Sequence, residues 1–493
     1  MNASPSSERP NILLLWTDEQ RADTLAAYGN RHGVTPCLDR FAREATVFEH
    51  AYCTAPLCTP SRGSVLTGLY PHRHGARMNN GFLNPAVRCL PALLDGYEAG
   101  YIGKWHLGDE VFAQQGFSTW ISIEDLYYPH FSPGRDRGAR SDYHYWLLSR
   151  GHAPQPDRNV FPRGFIATLP ESESKTRFVA DRAIEFLRAR RDARRPWFLS
   201  VNVLEPHMPF TGPRDGQYDP RDVPLPANAL RAPDASCVRR HRLMSALQCR
   251  RKPAGCDPSD EASVRQTLAR YWGLASQVDH HFGRILDALA DSGHAENTIV
   301  VFTSDHGDQM GSHALITKGV FYEESVRVPL LIKLPGQRQG VRISAPVSQV
   351  DLAATLCDLA AAPAPSTDSI SLRPVLEGGP APDRDVILVW HNRESREDEG
   401  LTDALAAIHA PFGALPECRR ALFGEMRGLV SPDGWKILFS ATGECELYNR
   451  VEDPLELRNL AHDPACRARR SDLAARLGRW QRDHEDDAPI ALT

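Results

Sequence analysis

Asn11-Ile12-Leu13-Leu14-Leu15-Trp16-Thr17-Asp18-Glu19-Gln20 is a short apolar run that stops abruptly on two acids. A run this short and this apolar reads as a strand covered on both faces, and so as part of a mostly parallel sheet. Two further segments share the design. Trp197 to Leu204 ends in Glu205-Pro206-His207, and Thr298 to Ser304 ends in Asp305-His306-Gly307-Asp308. Between them lie helical patterns over Phe178 to Arg190 and Tyr271 to Leu289, with apolar residues recurring on one face. Alternating strands and helices predict a doubly wound α/β sheet, in which ligands sit beyond the carboxyl ends of the strands. All three polar clusters fall on that edge.

The rest of the chain bounds the reading. Its 493 residues are 42% hydrophobic and 24% charged, the balance of a globular protein with ample core. A net charge of −5 excludes a nucleic-acid binder, which needs a basic face to neutralise phosphates. An anionic substrate must then be met by local positive charge. Met1 to Pro10 carries no basic leader or long apolar segment, so the expectation is a cytoplasmic protein with no membrane partner. Eleven cysteines, an odd count without a C-x-x-C pair, fit free thiols in a reducing compartment.

Two stretches read as loop or insertion. One is Thr211 to Pro258, with a short helical piece near Arg242 to Leu247; the other is Ala361 to Asp383, a Pro/Ala-rich junction. Beyond it, Val386 to Trp390, Gly428 to Val430 and Trp435 to Phe439 predict a small antiparallel sheet, followed by a terminal helix near Asp472 to Asp483.

Leu57-Cys58-Thr59-Pro60-Ser61-Arg62-Gly63-Ser64-Val65-Leu66-Thr67-Gly68 has the punctuation of a helix. Pro60 suits the first helical position and Gly68 the C-terminal cap. Cys58 then lies just ahead of a helix N-terminus, where free N–H groups favour an anion, and Arg62 is one turn on. By local pattern alone this is an inert thiol at an ordinary helix start. Gly103-Lys104-Trp105-His106-Leu107-Gly108 reads as extended backbone, with Lys104 and His106 facing one site and Trp105 turned away. By local pattern alone these are a surface lysine and a satisfied core histidine.

Cys58-x-Pro60-Ser61-Arg62 followed by Leu66-Thr67-Gly68 resembles the signature of the type I sulfatases of the alkaline phosphatase superfamily. So do the Gly-Lys-Trp-His-Leu-Gly stretch, the strand ending in Asp18-Glu19, Ser304-Asp305-His306-Gly307, Pro206-His207-Met208-Pro209-Phe210, and Gly311-Ser312-His313 with Lys318. The likeness runs from Asn11 to about Leu460, with Ser312 standing where relatives usually have Glu.

The resemblance implies an α/β fold with a large mixed sheet between helices and a smaller C-terminal antiparallel sheet. It divides the chain into a catalytic domain over residues 1–370 and a C-terminal subdomain over 371–493. It implies that Cys58 is oxidised to formylglycine by a formylglycine-generating enzyme. Asp18, Glu19, Asp305 and His306, with the Cys58-derived group, would bind one divalent metal: Ca²⁺ first, with Mg²⁺ and Mn²⁺ as alternatives. Convergent carboxylates on two strand ends need such a cation between them. Arg62, Lys104 and Lys318 would stabilise charged oxygens, and Lys104, His207 and Lys318 would contact the substrate. His106 would move the hydrate's proton, and His207 would act as a general acid. The implied substrate is a small-molecule or saccharide sulfate ester, with phosphonate monoester or phosphodiester hydrolysis as the alternative. Of the other conspicuous residues, His72 or His74 is expected to line the pocket and Asn79-Asn80 to approach the nucleophile. Specificity is expected in the loop over Thr211 to Pro258 and around Trp390 to Arg396.

Overall fold

Alternate side chains of the first strand enter two different cores, which is why it sits in the middle of a sheet. Ile12, Leu14 and Trp16 join one apolar layer, and Leu13 and Leu15 join the other. In the computed structural model, which describes residues 9–363, 368–391 and 399–492, the strands follow in chain order. They are β1 (Asn11–Asp18), β2 (Thr46–Phe48), β3 (Ala51–Tyr52), β4 (Glu98–Gly103), β5 (Thr119–Ser122), β6 (Trp197–Pro206), β7 (Thr298–Ser304), β8 (Arg327–Val328), β9 (Leu330–Lys333), β10 (Val341–Ile343), β11 (Val347–Ser348), β12 (Val386–Trp390), β13 (Met426–Val430), β14 (Trp435–Ser440) and β15 (Cys445–Asn449).

Eight of them form the large sheet, in the order β10-β2-β9-β7-β1-β6-β4-β5. The sheet is mixed: β7, β1, β6, β4 and β5 run parallel, whereas β9 is antiparallel to both β7 and β2. The three segments with acid or histidine ends are thus adjacent central strands, in the order β7-β1-β6. A register shift between Trp16 and Asp18 against β6 bends the end of β1 beside the clusters.

The helices Lys175–Ala189 and Glu261–Asp291 cover one face, each started by a side-chain cap, from Ser174 and Asp260. Both start earlier than the sequence-predicted spans, and the first ends one residue short of Arg190. The helices Cys58–Thr67 and Asp351–Leu359 pack on the other face through Val65, Leu66, Leu352 and Leu356.

The small antiparallel sheet is present as β12-β13-β14-β15. Its fourth strand, β15, lies outside the strands expected from the sequence. The helix Arg467–Asp483 packs on it through Leu473 and Leu477, and extends the expected one by about a turn and a half at its start. Lys436 Nζ of β14 reaches Glu323 Oε1 (3.2 Å) and Glu456 Oε1 (2.8 Å), a buried ionic tie between this sheet and the main body. The stretch 211–258 is not merely loop: Arg239–Arg251 forms a full helix, packed against Leu415–Phe423. Arg-rich composition hid it, since Leu243 and Leu247 are its main apolar contacts. Residues 392–396 of the expected specificity region lie outside the described residues.

Candidate active site

The site is built at the carboxyl edge of β7-β1-β6, where the signature helix points its first turn at the strand ends. That helix begins at Cys58 itself, with Pro60 third, so the expected start was two residues late. Gly68 closes it in the left-handed region at φ 71°, as predicted.

Cys58 Sγ lies 3.2 Å from His306 Nε2 and 3.6 Å from Asp18 Oδ1. One ligand atom from each of Asp18, Cys58, Asp305 and His306 falls within 4.8 Å of the others, and all four residues are buried. Arg62, fully buried, bridges the two acids: Nη2 donates to Asp18 Oδ2 (3.0 Å) and Nε to Asp305 Oδ2 (2.9 Å). Its Nη1 donates to the Lys104 carbonyl (2.8 Å), and Lys104 Nζ in turn pairs with Asp18 Oδ2. Burial pushes the Asp18 carboxyl up, but Lys104, His207 and Arg62 outweigh it and hold it well below the usual carboxylate range.

Lys104 is placed by a missing side chain. Gly103, at φ 122°, pairs with Asn202 of β6 so closely that a Cβ would sit 1.7 Å from the Asn202 carbonyl oxygen. The expected alternation of Lys104 and His106 along a strand does not hold, because β4 ends at Gly103 and His106 has φ 59°. A turn replaces the strand. Glu110 shapes it by accepting from the backbone N–H of Trp105 (2.9 Å) and His106 (2.6 Å). Both side chains still arrive near the nucleophile. His106 Nε2 meets Asn80 Oδ1 (3.1 Å), its Nδ1 has no hydrogen-bond partner among the described residues, and its ring stacks on Tyr127 at 4.1 Å. Burial, then Lys104 and Arg62, holds this imidazole well below its usual range, so it is neutral and able to accept a proton.

Glu19 stands apart from the four-residue cluster. It forms a second group with Asp18 and His207. Its Oε2 accepts from Lys318 Nζ (2.8 Å) and lies 3.4 Å from His207 Nε2, while its buried Oε1 has no hydrogen-bond partner among the described residues. Burial raises this carboxyl to about 8 against the pull of Lys318. An orphaned oxygen on a buried acid beside two more acids is what a hard cation's donor set looks like, so the residues fit a divalent metal.

Lys318 and His207 keep 12% and 9% exposure, whereas Arg62, Lys104 and Glu19 have none. The site therefore opens on the Lys318–His207 side.

Of the subsidiary expectations, Asn79 and Asn80 do flank the nucleophile: Asn79 Oδ1 accepts from Thr59 N (3.2 Å). His74 does not line the pocket. It braces the signature helix from behind, with Nε2 3.1 Å from the Pro60 carbonyl, and no Cβ fits at Gly63 against its ring. His72 contacts the His484 carbonyl instead. Sequence reasoning missed Glu110, Tyr127 and Arg163, which lie outside any motif and reach the site only through the fold. No helix among the described residues is long and apolar enough to cross a membrane.

The sulfatase family model matches residues 10–362. The chain is 30% identical to the arylsulfatase of Clostridium perfringens, with 94% of this chain and 92% of that one covered. It is 28% identical to the ulvan-active sulfatase of Formosa agariphila, covering 96% and 81%. Among solved structures, the phosphonate monoester hydrolase of Agrobacterium radiobacter superposes with a TM-score of 0.74 at 25% identity, covering 97% and 96%. The family match starts one residue ahead of β1 and runs past the last strand of the large sheet, so it spans the whole platform that carries the buried cluster. On that ground the chain belongs to the sulfatase family within the alkaline phosphatase superfamily, and is an enzyme acting on sulfate esters.

Proposed function

We propose that this enzyme hydrolyses sulfate esters of aryl or carbohydrate alcohols through a formylglycine made from Cys58. The observation that carries the reading is the position of Cys58, at the first turn of a helix and within 3.6 Å of both His306 Nε2 and Asp18 Oδ1. Left as a thiol, Cys58 is pushed up to about 11 by burial and then by Asp18, so it is protonated at neutral pH and a poor nucleophile. Conversion to an aldehyde hydrate replaces that thiol with hydroxyl groups in the same place.

One hydroxyl gives its proton to the Asp18 carboxylate beside it and attacks sulfur as the S–O bond to the alcohol breaks. Lys104 and Lys318, both near enough to residue 58 to act on its charge, hold the sulfate oxygens. The Lys318 ammonium, or His207 once the anionic ester offsets the burial and the Lys318 charge that hold its imidazole well below the usual range, protonates the departing alcohol; both are oriented by Glu19 Oε2. His106, neutral and with Nδ1 uncommitted, then takes the proton of the second hydroxyl. Sulfate leaves as the aldehyde reforms, and water rehydrates it. A divalent cation held by Asp18, Glu19, Asp305 and His306 supplies Lewis-acid stabilisation of charge at the transferring group. The oxygen-rich donor set favours a hard cation, Ca²⁺ first with Mg²⁺ as an alternative, and the imidazole of His306 leaves Mn²⁺ open.

A phosphonate or phosphodiester hydrolase is the second reading, supported by the fold match to a phosphonate monoester hydrolase. The sulfatases among the relatives at 28–30% identity favour sulfate. The test is turnover of 4-nitrophenyl sulfate against an aryl phosphonate monoester and an aryl phosphate diester, by protein co-produced with a formylglycine-generating enzyme. Higher kcat/KM on sulfate is expected; higher kcat/KM on either phosphorus ester reverses the assignment.

A further inference from the structure

A cationic corner lies beside the nucleophile, where residues outside every motif meet Lys104 and His106. Tyr127 lies flat against His106, at 13° between ring planes. The same ring has Lys104 Nζ 6.0 Å from its centroid and the Arg163 guanidinium 5.8 Å away, so the two cations flank one side chain. Arg163 donates through Nε (3.2 Å) and Nη2 (2.9 Å) to Glu124 Oε2, and through Nη2 to the Tyr127 hydroxyl (2.8 Å). Glu124 also pairs with Lys175. One fully buried carboxylate thus serves two cations, and the second acid of the corner, Glu205, acts on Lys175, so Arg163 is left sharing Glu124 alone.

The Arg163 side of this corner faces a cleft. Arg163 keeps 18% side-chain exposure, and its Nη1 has no hydrogen-bond partner among the described residues. It lines the cleft together with His207, the candidate proton donor to the alcohol. Gln277, 1% exposed, lines it too. Its Nε2 donates to Ser174 Oγ (2.7 Å), and its Oε1 is buried without a partner among the described residues. The one carboxylate of the lining, Glu205, accepts from Thr176 Oγ1 (2.6 Å). The free volume, about 30 Å³, admits a substituent group and not a second ring.

We propose that this cleft holds part of the alcohol portion of the ester and selects hydroxylated rings bearing a second anion, a carboxylate or a further sulfate. Arg163 Nη1 takes the anion, and Gln277 Oε1 accepts from a ring hydroxyl. The proposal rests on the sulfate-ester reading above, and names the substrate class for it.

The test compares sulfated methyl glucuronides and disulfated methyl glucosides with monosulfated methyl glucosides, at each ring position, using sulfate release by the Cys58-converted enzyme. The second anion is expected to raise kcat/KM by about tenfold or more, mainly through KM, as a charge-assisted hydrogen bond does. In Arg163→Met that ratio should fall to about one. Arg163→Lys, which keeps a cation on Glu124 but loses the Nη1 donors, should lower it in a chain of normal thermal stability. Glucuronides and disulfated glucosides preferred alike assign the anion in general; preference for one of them assigns that anion. Equal kcat/KM with and without the second anion in the unmutated enzyme overturns the subsite and leaves the sulfatase reading intact. An unchanged ratio in both variants also overturns it. Release of sulfate from none of the esters overturns both.

Discussion

Lys318 Nζ lies 2.8 Å from Glu19 Oε2, so the lysine proposed to hold the sulfate is itself held by an acid proposed to hold the metal. The two oxygens of this carboxylate divide the work. Oε2 serves the cation of the side chain, and Oε1, otherwise without a partner among the described residues, would serve the proposed metal. Lys318→Ala removes a charge from the oxygens of the transferring group and leaves Glu19 buried without its counter-ion. Loss of one preorganised transition-state contact of this kind costs about 10²–10³ in kcat. Steady-state kinetics on 4-nitrophenyl sulfate checks this, and activity within about threefold of the parent speaks against the role.

The proposed nucleophile makes its own prediction. Peptide mass spectrometry of protein made with the converting enzyme should find the residue at 58 as an aldehyde. Cys58→Ala should abolish sulfate release while the chain still folds, because among the described residues the thiol's polar contacts are those to His306 and Asp18 alone. A fully active alanine variant is incompatible with the covalent mechanism.

Chelation should act on stability as well as on rate. Without a cation, Asp18, Glu19 and Asp305 converge with only side-chain and backbone donors between them. Dialysis against a chelator is expected to lower both activity and Tm, and added Ca²⁺ to restore both. Any ion that binds only the folded state at about 100 times its Kd stabilises by about 2.7 kcal/mol. A Tm indifferent to chelator and to added ion counts against a bound metal.

Arg62→Ala should be among the most damaging substitutions to the fold. It strips Asp18 and Asp305 of a shared, fully buried guanidinium, and breaking such a pair costs about 3–5 kcal/mol. Arg62→Lys does little better, since a single ammonium cannot reproduce the three-way bridge to Asp18, Asp305 and the Lys104 carbonyl. Urea unfolding midpoints measure both.

The Arg163–Glu124–Lys175 corner carries a pH signature. Burial raises the Glu124 carboxyl, but Arg163 and Lys175 outweigh it and lower it from 4.5 to about 2. A carboxylate depressed on folding adds stability that is complete above its unfolded value and is lost as pH falls through the folded one. The contribution, on the order of 3 kcal/mol, should therefore be full above about pH 5 and fade between there and pH 2. Urea midpoints of the parent and Glu124→Gln should differ most near pH 6 and converge only as pH falls to about 2. A gap that is constant with pH removes the ion pair as its cause.

The part of this that was legible in the residue order is the part that depends on short range. Ile12–Trp16 announced a two-sided strand, Gly68 a helix end, and the acids after β1 and β7 a common edge. Lys104 and His106 were found with the wrong backbone between them, because the strand stops at Gly103 and Glu110 folds the next residues into a turn. That turn rests on a side chain four to five residues downstream, a contact that carries no periodicity. Arg163 and Tyr127 were invisible for a related reason. Each is unremarkable in its own segment, and acquires meaning only when 36 residues of loop and short helix fold back to put one on the other.

Cys58 is 1% exposed, packed under the strand ends that would bind the metal. No second enzyme can reach a side chain so placed, so the conversion proposed for it belongs to the interval between synthesis and folding. Maturation then becomes a race in time. A chain that folds quickly seals an unconverted thiol inside, stable and inert, and the yield of working enzyme is set by how long that segment stays open.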